Sequence, residues 1–259
     1  MTNMKPVDER KRITLEKLQQ ENRVYVSELS RLFDISEVTI RKDLKELEER
    51  GLLKRTYGGA TIAAKVAIES SLDELQLIKV EEKKAIARAA YEFIADNEAV
   101  LLDASTTTRE LALLIRDGHK RLTVVTTAVQ IAYELARCEH LEVIQIGGLI
   151  RRTLYTAMGP VATSTLRGLH VDKAFIGVNG VDTNIGLTTQ NLFECEIKHL
   201  IIAASTQAYV LADASKMRCV TLGVICPVDR VDFIITDSSI PAEIANEIQA
   251  KDVELVIAP

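Results

Sequence analysis

The sequence predicts an α/β protein in which an N-terminal winged helix-turn-helix precedes a mostly parallel sheet covered by helices. Within the first sixty residues, two short amphipathic helical patterns lie close together and are followed by a basic segment that contains Gly58-Gly59. From about residue 80 onward, continuous apolar strand patterns alternate with helical patterns, as in parallel sheets buried on both faces. These observations predict three regions: a winged helix-turn-helix, residues 5–60, a linker, residues 61–79, and an α/β domain, residues 80–259.

The composition is that of a globular protein whose cations are unevenly distributed. Of the 259 residues, 47% are hydrophobic and 27% are charged, which is ordinary for a soluble protein. Residues 1–60 hold 13 of the 32 Lys and Arg residues and 11 of the 37 Asp and Glu residues, a net charge of +2, and the remainder has a net charge of −7. This asymmetry fits a nucleic-acid-binding N-terminal region joined to an acidic domain.

A helix from Asp8 to Gln20 is predicted to precede two shorter helical patterns. The first of these begins at Ser27, whose hydroxyl is suited to cap a helix N-terminus. Its predicted apolar face consists of Leu29, Leu32 and Phe33. Asp34-Ile35 then predicts a tight corner, after which Ser36 is a second suitable N-cap.

The helix that follows Ser36 is the candidate for contact with nucleic acid. It is predicted to run to about Arg50, where Gly51 can end it. One side is an apolar stripe of Ile40, Leu44 and Leu47, and the opposite side carries Val38, Arg41, Lys42 and Lys45. Cations on the first turns, opposite a buried stripe, suit a helix that reads the DNA major groove. The alternative is a solvated charged face on a small helical bundle, which Glu46, Glu48 and Glu49 favour for the C-terminal half.

The segment from Leu52 to Thr61 predicts two short strands around a Gly-Gly turn, which form a basic wing beside that helix. One short unit thus contains a capped helix with cations on its first turns, a tight corner before it and a basic wing after it. This combination favours binding of double-stranded DNA. The residues predicted to contact it are Ser36, Thr39, Arg41, Lys42, Lys45, Arg55 and Tyr57.

These residues resemble a known family. The segment SELSRLFDISEVTIRKDLKELEERGLLKRTYGGA is similar to the winged helix-turn-helix of DeoR-type bacterial transcriptional regulators, in which S-x-x-T-I-R-x-D-L precedes a basic Gly-Gly wing. The match is long and ordered, so the resemblance is specific, and it implies binding to an operator.

The α/β domain is predicted from alternating strand and helix patterns, with no internal repeat. The predicted strands are Ala99–Asp103, Leu122–Thr126, Leu141–Ile146, Lys173–Val178, Tyr209–Asp213, Asp232–Thr236 and Val253–Ile257. The predicted helices are Glu82–Ala95, Thr106–Arg116, Ala128–Arg137, Pro160–Gly168, Phe193–Ala203 and Pro241–Gln249.

Ligands of parallel α/β sheets bind beyond the carboxyl ends of the strands, and polar residues follow several predicted strands there. Asp103 ends the first strand, and the hydroxyl residues 105–108 follow at a helix N-terminus, where free N–H groups favour an anion such as phosphate. An ordinary Ser/Thr helix cap is the alternative for this loop. Further residues at the predicted edge are Thr126, Thr127, Gly147, Gly148, Arg151, Glu194, Lys198 and Lys216.

The C-terminal region also resembles the DeoR-type family. The matching segments, in order, are LDASTTT, VVTTAVQIA, IGGLIRR, DKAFIGVNGVD, GLTTQNLFECEIK and LADASK. Effector domains of this type are related to sugar-phosphate isomerases and typically bind phosphorylated sugars or related metabolites. The resemblance implies effector contacts by Asp103, Ser105, Thr106, Thr107, Thr108, Gly147, Gly148, Arg151, Lys198 and Lys216. Two residues depart from the family pattern, because Ser105 replaces the usual Gly and Thr127 replaces the usual Asn.

The resemblance therefore implies a homo-oligomeric repressor, dimeric or tetrameric, of a carbohydrate-metabolism operon, whose operator affinity responds to a phosphorylated sugar. The alternative is an isomerase-like enzyme with an appended DNA-binding domain, in which Asp182 and Glu194 act as acid and base. No convergent pair with fixed roles is evident, so we expect no catalytic residues and no enzyme activity. Nucleotide binding is less favoured, because no GxGxxG or Walker sequence is present.

Neither a metal site nor a membrane segment is expected. The four cysteines show no paired spacing and the four histidines are scattered, so we predict no zinc site, no disulfides and no cofactor. The N-terminal segment has no apolar core typical of a signal peptide, and no apolar run approaches the length of a membrane span. We therefore expect a cytoplasmic location.

Overall fold

Residues 7–21, 23–49, 52–61 and 72–259 are described by the structure, which is a computed structural model. The chain divides into two units, Met1–Lys79 and Val80–Pro259, called here the N-terminal and C-terminal units. None of the helices among the described residues is long and apolar enough to cross a membrane.

The N-terminal unit combines helices with a small antiparallel sheet. Its elements are α1 (Val7–Glu21), β1 (Arg23–Tyr25), α2 (Val26–Phe33), α3 (Glu37–Glu49), β2 (Lys54–Thr56), β3 (Gly59–Thr61) and α4 (Leu72–Gln76). The strands pair in the order β1-β3-β2. Leu18, Leu29, Leu44 and Leu47 are almost completely buried and belong to one core beneath α1, α2 and α3. The predicted winged helix-turn-helix is confirmed, and Gly51, predicted to end α3, lies outside the described residues.

Three details of this unit differ from the prediction. Helix α2 begins one residue before Ser27, after Tyr25, and has no side-chain cap, so Ser27 is not its N-cap. Leu32 is 56% exposed, because the buried face of α2 instead consists of Val26, Leu29 and Phe33. Strand β1 was not predicted, since three residues are too short for a period-two pattern to be distinct.

The wing turn also differs from the predicted Gly-Gly turn. Thr56 pairs with Gly59, so the turn residues are Tyr57 and Gly58, and Gly58 has a φ of 91°. Gly59 instead lies in β3, where a Cβ atom would come within 2.0 Å of the Val24 carbonyl oxygen. Glycine is therefore required at position 59 by the close approach of strand β1.

The C-terminal unit contains a large sheet, flanking helices and two small antiparallel sheets. Its helices are α5 (Val80–Glu92), α6 (Thr106–Asp117), α7 (Val129–Leu135), α8 (Pro160–Arg167), α9 (Leu192–Ala203) and α10 (Ala242–Gln249). The strands of the large sheet are β4 (Ala99–Leu102), β5 (Leu122–Thr126), β6 (Leu141–Gln145), β9 (Val171–Gly177), β12 (Ser205–Leu211), β14 (Phe233–Asp237) and β15 (Glu254–Ala258). The remaining strands are β7 (Leu149–Arg151), β8 (Thr156–Met158), β10 (Gly180–Asp182), β11 (Gly186–Thr189) and β13 (Gly223–Cys226).

All neighbouring strands of the large sheet are parallel, in the order β15-β14-β12-β9-β4-β5-β6. The predicted parallel sheet is therefore confirmed. The chain moves from β4 outward to β6, then returns to β9 on the other side of β4. This reversal creates a topological switch point between β4 and β9, and a crevice at their carboxyl ends is the usual ligand position.

Both faces of the large sheet are covered by helices. Alternate strand residues divide between two cores, so that Leu101 and Ile176 contribute to one and Leu102 and Phe175 to the other. The first core includes residues of α8, α9 and α10, and the second includes residues of α5, α6 and α7. Because both faces are buried, the strands read as continuous apolar runs rather than alternating ones.

The short antiparallel strands were missed by the sequence analysis. Strands β7 and β8 form a hairpin that lies on the loop after β5, where the Ala157 N–H donates to the Thr127 carbonyl oxygen at 2.8 Å. Strands β10, β11 and β13 form a separate antiparallel sheet. Each has three or four residues, too few to predict a strand by periodicity. The predicted linker contains α4, and residues 62–71 of it lie outside the described residues.

Candidate functional site

Helix α3 presents a polar face opposite a buried stripe. The Ser36 side-chain oxygen accepts a hydrogen bond from the Thr39 N–H at 3.3 Å, which caps the helix. Ile40, Leu44 and Leu47 are at most 1% exposed, as predicted. On the other side, Val38 is 74% exposed and Arg41, Lys42 and Lys45 are also exposed. The face is therefore accessible to a partner along its first two turns.

Two ion pairs hold α3 against α1. The guanidinium of Arg10 contacts the Asp43 carboxylate at 2.8 Å, and both residues are buried. Lys11 pairs with Glu46 one turn further along α3. These pairs fix the orientation of α3 from its inner side, and no sequence pattern indicated them.

The cations on the candidate DNA surface differ in how far nearby carboxylates neutralise them. Arg41 pairs with Glu37 at 2.6 Å, Lys45 with Glu49 at 3.6 Å, and Arg55 with Glu48 at 3.8 Å. Lys42 forms no ion pair with any of the residues that the structure describes. Tyr57 is fully exposed at the wing turn. Since exposed ion pairs are weak, phosphate groups can replace these carboxylates at little cost.

Asp103 lies at the switch point of the C-terminal unit and is only 1% exposed. One carboxylate oxygen accepts from the Gly177 N–H at 3.0 Å, which links the ends of β4 and β9. The other accepts from the Ser105 N–H at 3.1 Å and from the Thr108 hydroxyl at 2.9 Å. Asp103 therefore organises the loop that joins β4 to α6.

Lys198, from α9, forms a buried ion pair with Asp103 and donates to the Gly177 carbonyl oxygen at 2.9 Å. Burial by itself would lower the pKa of Lys198, but the carboxylates of Asp103 and Glu194 more than offset this, and the pKa is raised. The ammonium group of Lys198 is thus a buried, fixed charge of the site.

The hydroxyl loop contains a helix cap as well as open donors. The Ser105 hydroxyl oxygen accepts from the Thr108 N–H at 3.1 Å, and the Thr108 hydroxyl is hydrogen-bonded inside the loop. The predicted Ser/Thr cap is therefore present at these two residues. Thr106 and Thr107 are the first two residues of α6, and their backbone N–H groups have no hydrogen-bond partner among the described residues, which is the feature that attracts an anion to a helix N-terminus.

A small cleft lies beside Asp103, and the charged residues of its lining are ion-paired. It is lined by Asp103, Ala104, Thr127, Thr156, Met158, Glu194, Ile197 and Lys198. Arg151 contacts Glu194 at 3.2 Å, and the second oxygen of Glu194 accepts from the Thr189 hydroxyl at 3.2 Å. Gly148 lies at the base of the hairpin and lets its two strands meet closely, because a Cβ atom there would lie 2.6 Å from the Met158 carbonyl oxygen. The adjacent Gly147 is exposed.

Lys83, which was not among the predicted site residues, is 7% exposed on the first turn of α5. Burial lowers the pKa of Lys83 to about 8; the nearby Asp213 carboxylate opposes this change and the ammonium of Lys216 reinforces it. Asp213 and Lys216 follow β12, so they lie at the carboxyl edge of the sheet. In the sequence, Lys83 lies at helical spacing from the apolar residues Ile86 and Ala90, and this position indicates that its side chain is buried.

The residues considered for catalysis do not form an acid–base pair. Asp182 accepts hydrogen bonds from the N–H groups of Asn184 and Ile185 at 2.9 and 2.8 Å, so it shapes the turn between β10 and β11. It does not line the cleft, whereas Glu194 does. Among the described residues, no group of three or more His, Cys, Asp or Glu side chains is arranged to hold a metal ion.

Comparison with known proteins identifies both units. Residues 10–66 match the DeoR-like helix-turn-helix domain, and residues 78–238 match the DeoR C terminal sensor domain. The HTH-type transcriptional regulator GolR of Listeria innocua is 32% identical over 250 residues, which cover 96% of this chain and 98% of that protein. The transcriptional repressor AccR of Agrobacterium fabrum is 33% identical over 225 residues, or 86% of this chain and 87% of AccR.

Among solved structures, ribose 5-phosphate isomerase A from Methanocaldococcus jannaschii is similar over 54% of this chain and 55% of its own, at 18% identity and a TM-score of 0.39. That likeness has no bearing on activity. The two domain matches span most of the sequence and occur in the order that the structure shows. The chain therefore belongs to the DeoR family of DNA-binding transcriptional regulators.

Proposed function

We propose that the protein represses a carbohydrate-metabolism operon and that a phosphorylated sugar controls its affinity for operator DNA. The observation that carries the proposal is the exposed cationic face of α3 beside a basic wing, in a chain that also has a sensor domain. AccR, named a transcriptional repressor, supports repression rather than activation.

We infer that the protein acts as a dimer or tetramer. A single winged helix offers a small surface, and operators of helix-turn-helix proteins commonly contain two half-sites. The C-terminal unit carries exposed apolar side chains that favour self-association, among them Leu149, Val161, Phe193 and Leu222, each at least 61% exposed. Symmetric pairing of this unit is the simplest way to present two α3 helices.

Arg41 and Lys42 are expected to contribute differently to DNA binding. Arg41→Ala should weaken operator binding by about 1–3 kcal/mol and relax the preference at one base pair, because arginine can read a base edge. Lys42→Ala should weaken binding to all sequences alike and reduce the slope of log affinity against log salt by about 1, because Lys42 is a phosphate contact. Fluorescence anisotropy on an operator selected from random duplexes measures both.

Lys251→Ala is the matched control for net charge, because Lys251 is exposed in the C-terminal unit. Its operator affinity should equal that of the wild type. The assignment of α3 as the DNA-reading helix fails if Arg41→Ala and Lys42→Ala also bind with wild-type affinity.

The sensor part of the proposal rests on the switch point. We infer that the effector phosphate binds the open N–H donors of Thr106 and Thr107, where the helix dipole favours negative charge. Lys216, which follows β12, supplies cationic charge at the same edge of the sheet. Arg151 and Lys198 are each paired with a buried carboxylate, so we infer that they shape the cleft instead of neutralising phosphate.

A phosphorylated sugar that raises the melting temperature is expected to change operator affinity by about 5- to 150-fold, the usual range of allosteric coupling. Because linkage is reciprocal, operator DNA should change the affinity for that sugar by the same factor. Titrations of DNA with and without the sugar, and of the sugar with and without DNA, test this equality. The proposal is contradicted if no phosphorylated sugar binds, or if one binds and leaves operator affinity unchanged.

A further inference from the structure

The side chain of Thr127 is the feature that the proposed function does not yet explain. Thr127 follows β5, is 1% exposed, and lines the cleft beside Asp103. Its hydroxyl has no hydrogen-bond partner in the part of the chain that the structure describes. Buried hydroxyls are nearly always paired, so one that is left unpaired destabilises the fold and calls for an explanation.

The local backbone is held without this hydroxyl. The neighbouring Thr126 hydroxyl donates to the Leu102 carbonyl oxygen at 2.7 Å, and its oxygen accepts from the Ala128 N–H at 3.0 Å. The carbonyl oxygen of Thr127 accepts from Ala157 of the hairpin at 2.8 Å. Thr126 therefore secures the loop, and the Thr127 side chain contributes no hydrogen bond to it.

We propose that the Thr127 hydroxyl binds an oxygen on the carbon chain of the effector, either a hydroxyl or a carbonyl, and thereby selects among phosphorylated sugars. This inference rests on the proposed function and assigns one end of the ligand. In the cleft around Thr127, the carboxylates of Asp103 and Glu194 already pair with Lys198 and Arg151, so these cations are engaged before a phosphate group could use them. A neutral hydroxyl that both donates and accepts suits a sugar oxygen.

The orientation of the ligand follows from these charges. Phosphate binds the open donors at the N-terminus of α6, and the carbon chain extends into the cleft toward Thr127. Thr156 and Met158 of the hairpin line the same cleft, so the hairpin forms one wall of the space that the carbon chain enters. A threonine hydroxyl is short, and the ligand oxygen must therefore approach the backbone of this loop closely.

Thr127→Val removes the hydroxyl and keeps the branched shape. Without ligand, this variant should melt at the same temperature as the wild type or higher, because no hydrogen bond is lost. Thr126→Val is the matched control and should melt at a lower temperature, because two hydrogen bonds are lost. Thr127→Ser, which keeps the hydroxyl, should bind ligand like the wild type.

Ligand affinity is then measured by calorimetry with glycerol phosphate, erythrose phosphate, ribose phosphate, fructose phosphate and inorganic phosphate. A sugar phosphate that binds the wild type should bind Thr127→Val about tenfold more weakly, the effect of one lost hydrogen bond. Inorganic phosphate, which does not enter the cleft, should bind both proteins equally.

Each outcome decides between explanations. Equal affinity of the wild type and Thr127→Val for a sugar phosphate overturns the role of Thr127 and leaves the sensor proposal standing. A melting temperature of Thr127→Val as low as that of Thr126→Val shows that the hydroxyl is structural, and also overturns it. If none of the sugar phosphates binds the wild type, the sensor proposal and this inference fail together.

Discussion

Replacing Lys198 with methionine is expected to lower the free energy of unfolding of the C-terminal unit by about 3–5 kcal/mol, the usual result of breaking a buried ion pair. The variant leaves the Asp103 carboxylate buried without its cation, at the point where β4 and β9 meet. Urea unfolding followed by circular dichroism measures the loss. Hydrogen exchange of the β4 and β9 amides assigns it to this unit.

The double variant Asp103→Asn with Lys198→Met should recover most of the lost stability, because it removes both charges together. Arg116→Met is the surface control: the Arg116–Asp117 pair is exposed, and its loss should have little measurable effect. Additive effects in the double variant would contradict the assignment of the Asp103–Lys198 contact as a coupled buried pair.

Replacing Gly59 with alanine is expected to destabilise the N-terminal unit by about 2–4 kcal/mol and to abolish operator binding. The added Cβ atom would lie 2.0 Å from the Val24 carbonyl oxygen, so β3 cannot stay paired with β1. The wing and Tyr57 then lose their position beside α3. Hydrogen exchange of residues 23–25 and 59–61, together with operator titration, measures both consequences.

The neighbouring Gly58 provides the control. A Cβ atom at Gly58 would meet nothing within 4 Å, so Gly58→Ala carries only the strain of a φ of 91°, about 1 kcal/mol. Hydrogen exchange in β1 and β3 should then stay near the wild-type rate. Similar losses of pairing in both variants would show that the wing turn, and not the approach of β1, requires glycine.

The main features of the fold were predictable because they depend on local patterns. Strand β4 is a continuous apolar run, β9 and β12 each end in one, and α3 repeats leucine and isoleucine at helical spacing. Short strands such as β1 and β7 carry too few residues for a pattern. They form because tertiary contacts, such as Val24 against Ala60, supply the pairing.

The ligand site was predictable in position but not in its ionic contacts. The Asp103 loop was identified because it follows an apolar strand and precedes a helix. The partner of Asp103 is Lys198, 95 residues later, and only the strand order brings the two together. For the same reason the sequence showed that Thr127 departs from the family pattern, but not that its hydroxyl is buried and unpaired.

The strand order has a consequence for synthesis on the ribosome. The described strands of the N-terminal unit pair within residues 23–61, so this unit can fold soon after it emerges. Strand β4 pairs with β9 about 73 residues later in the chain. Until β9 is translated, β4 presents an apolar, unpaired edge, which is the kind of surface that aggregates or recruits chaperones. Nascent chains therefore carry a folded DNA-binding unit while the domain that is to control it remains incomplete.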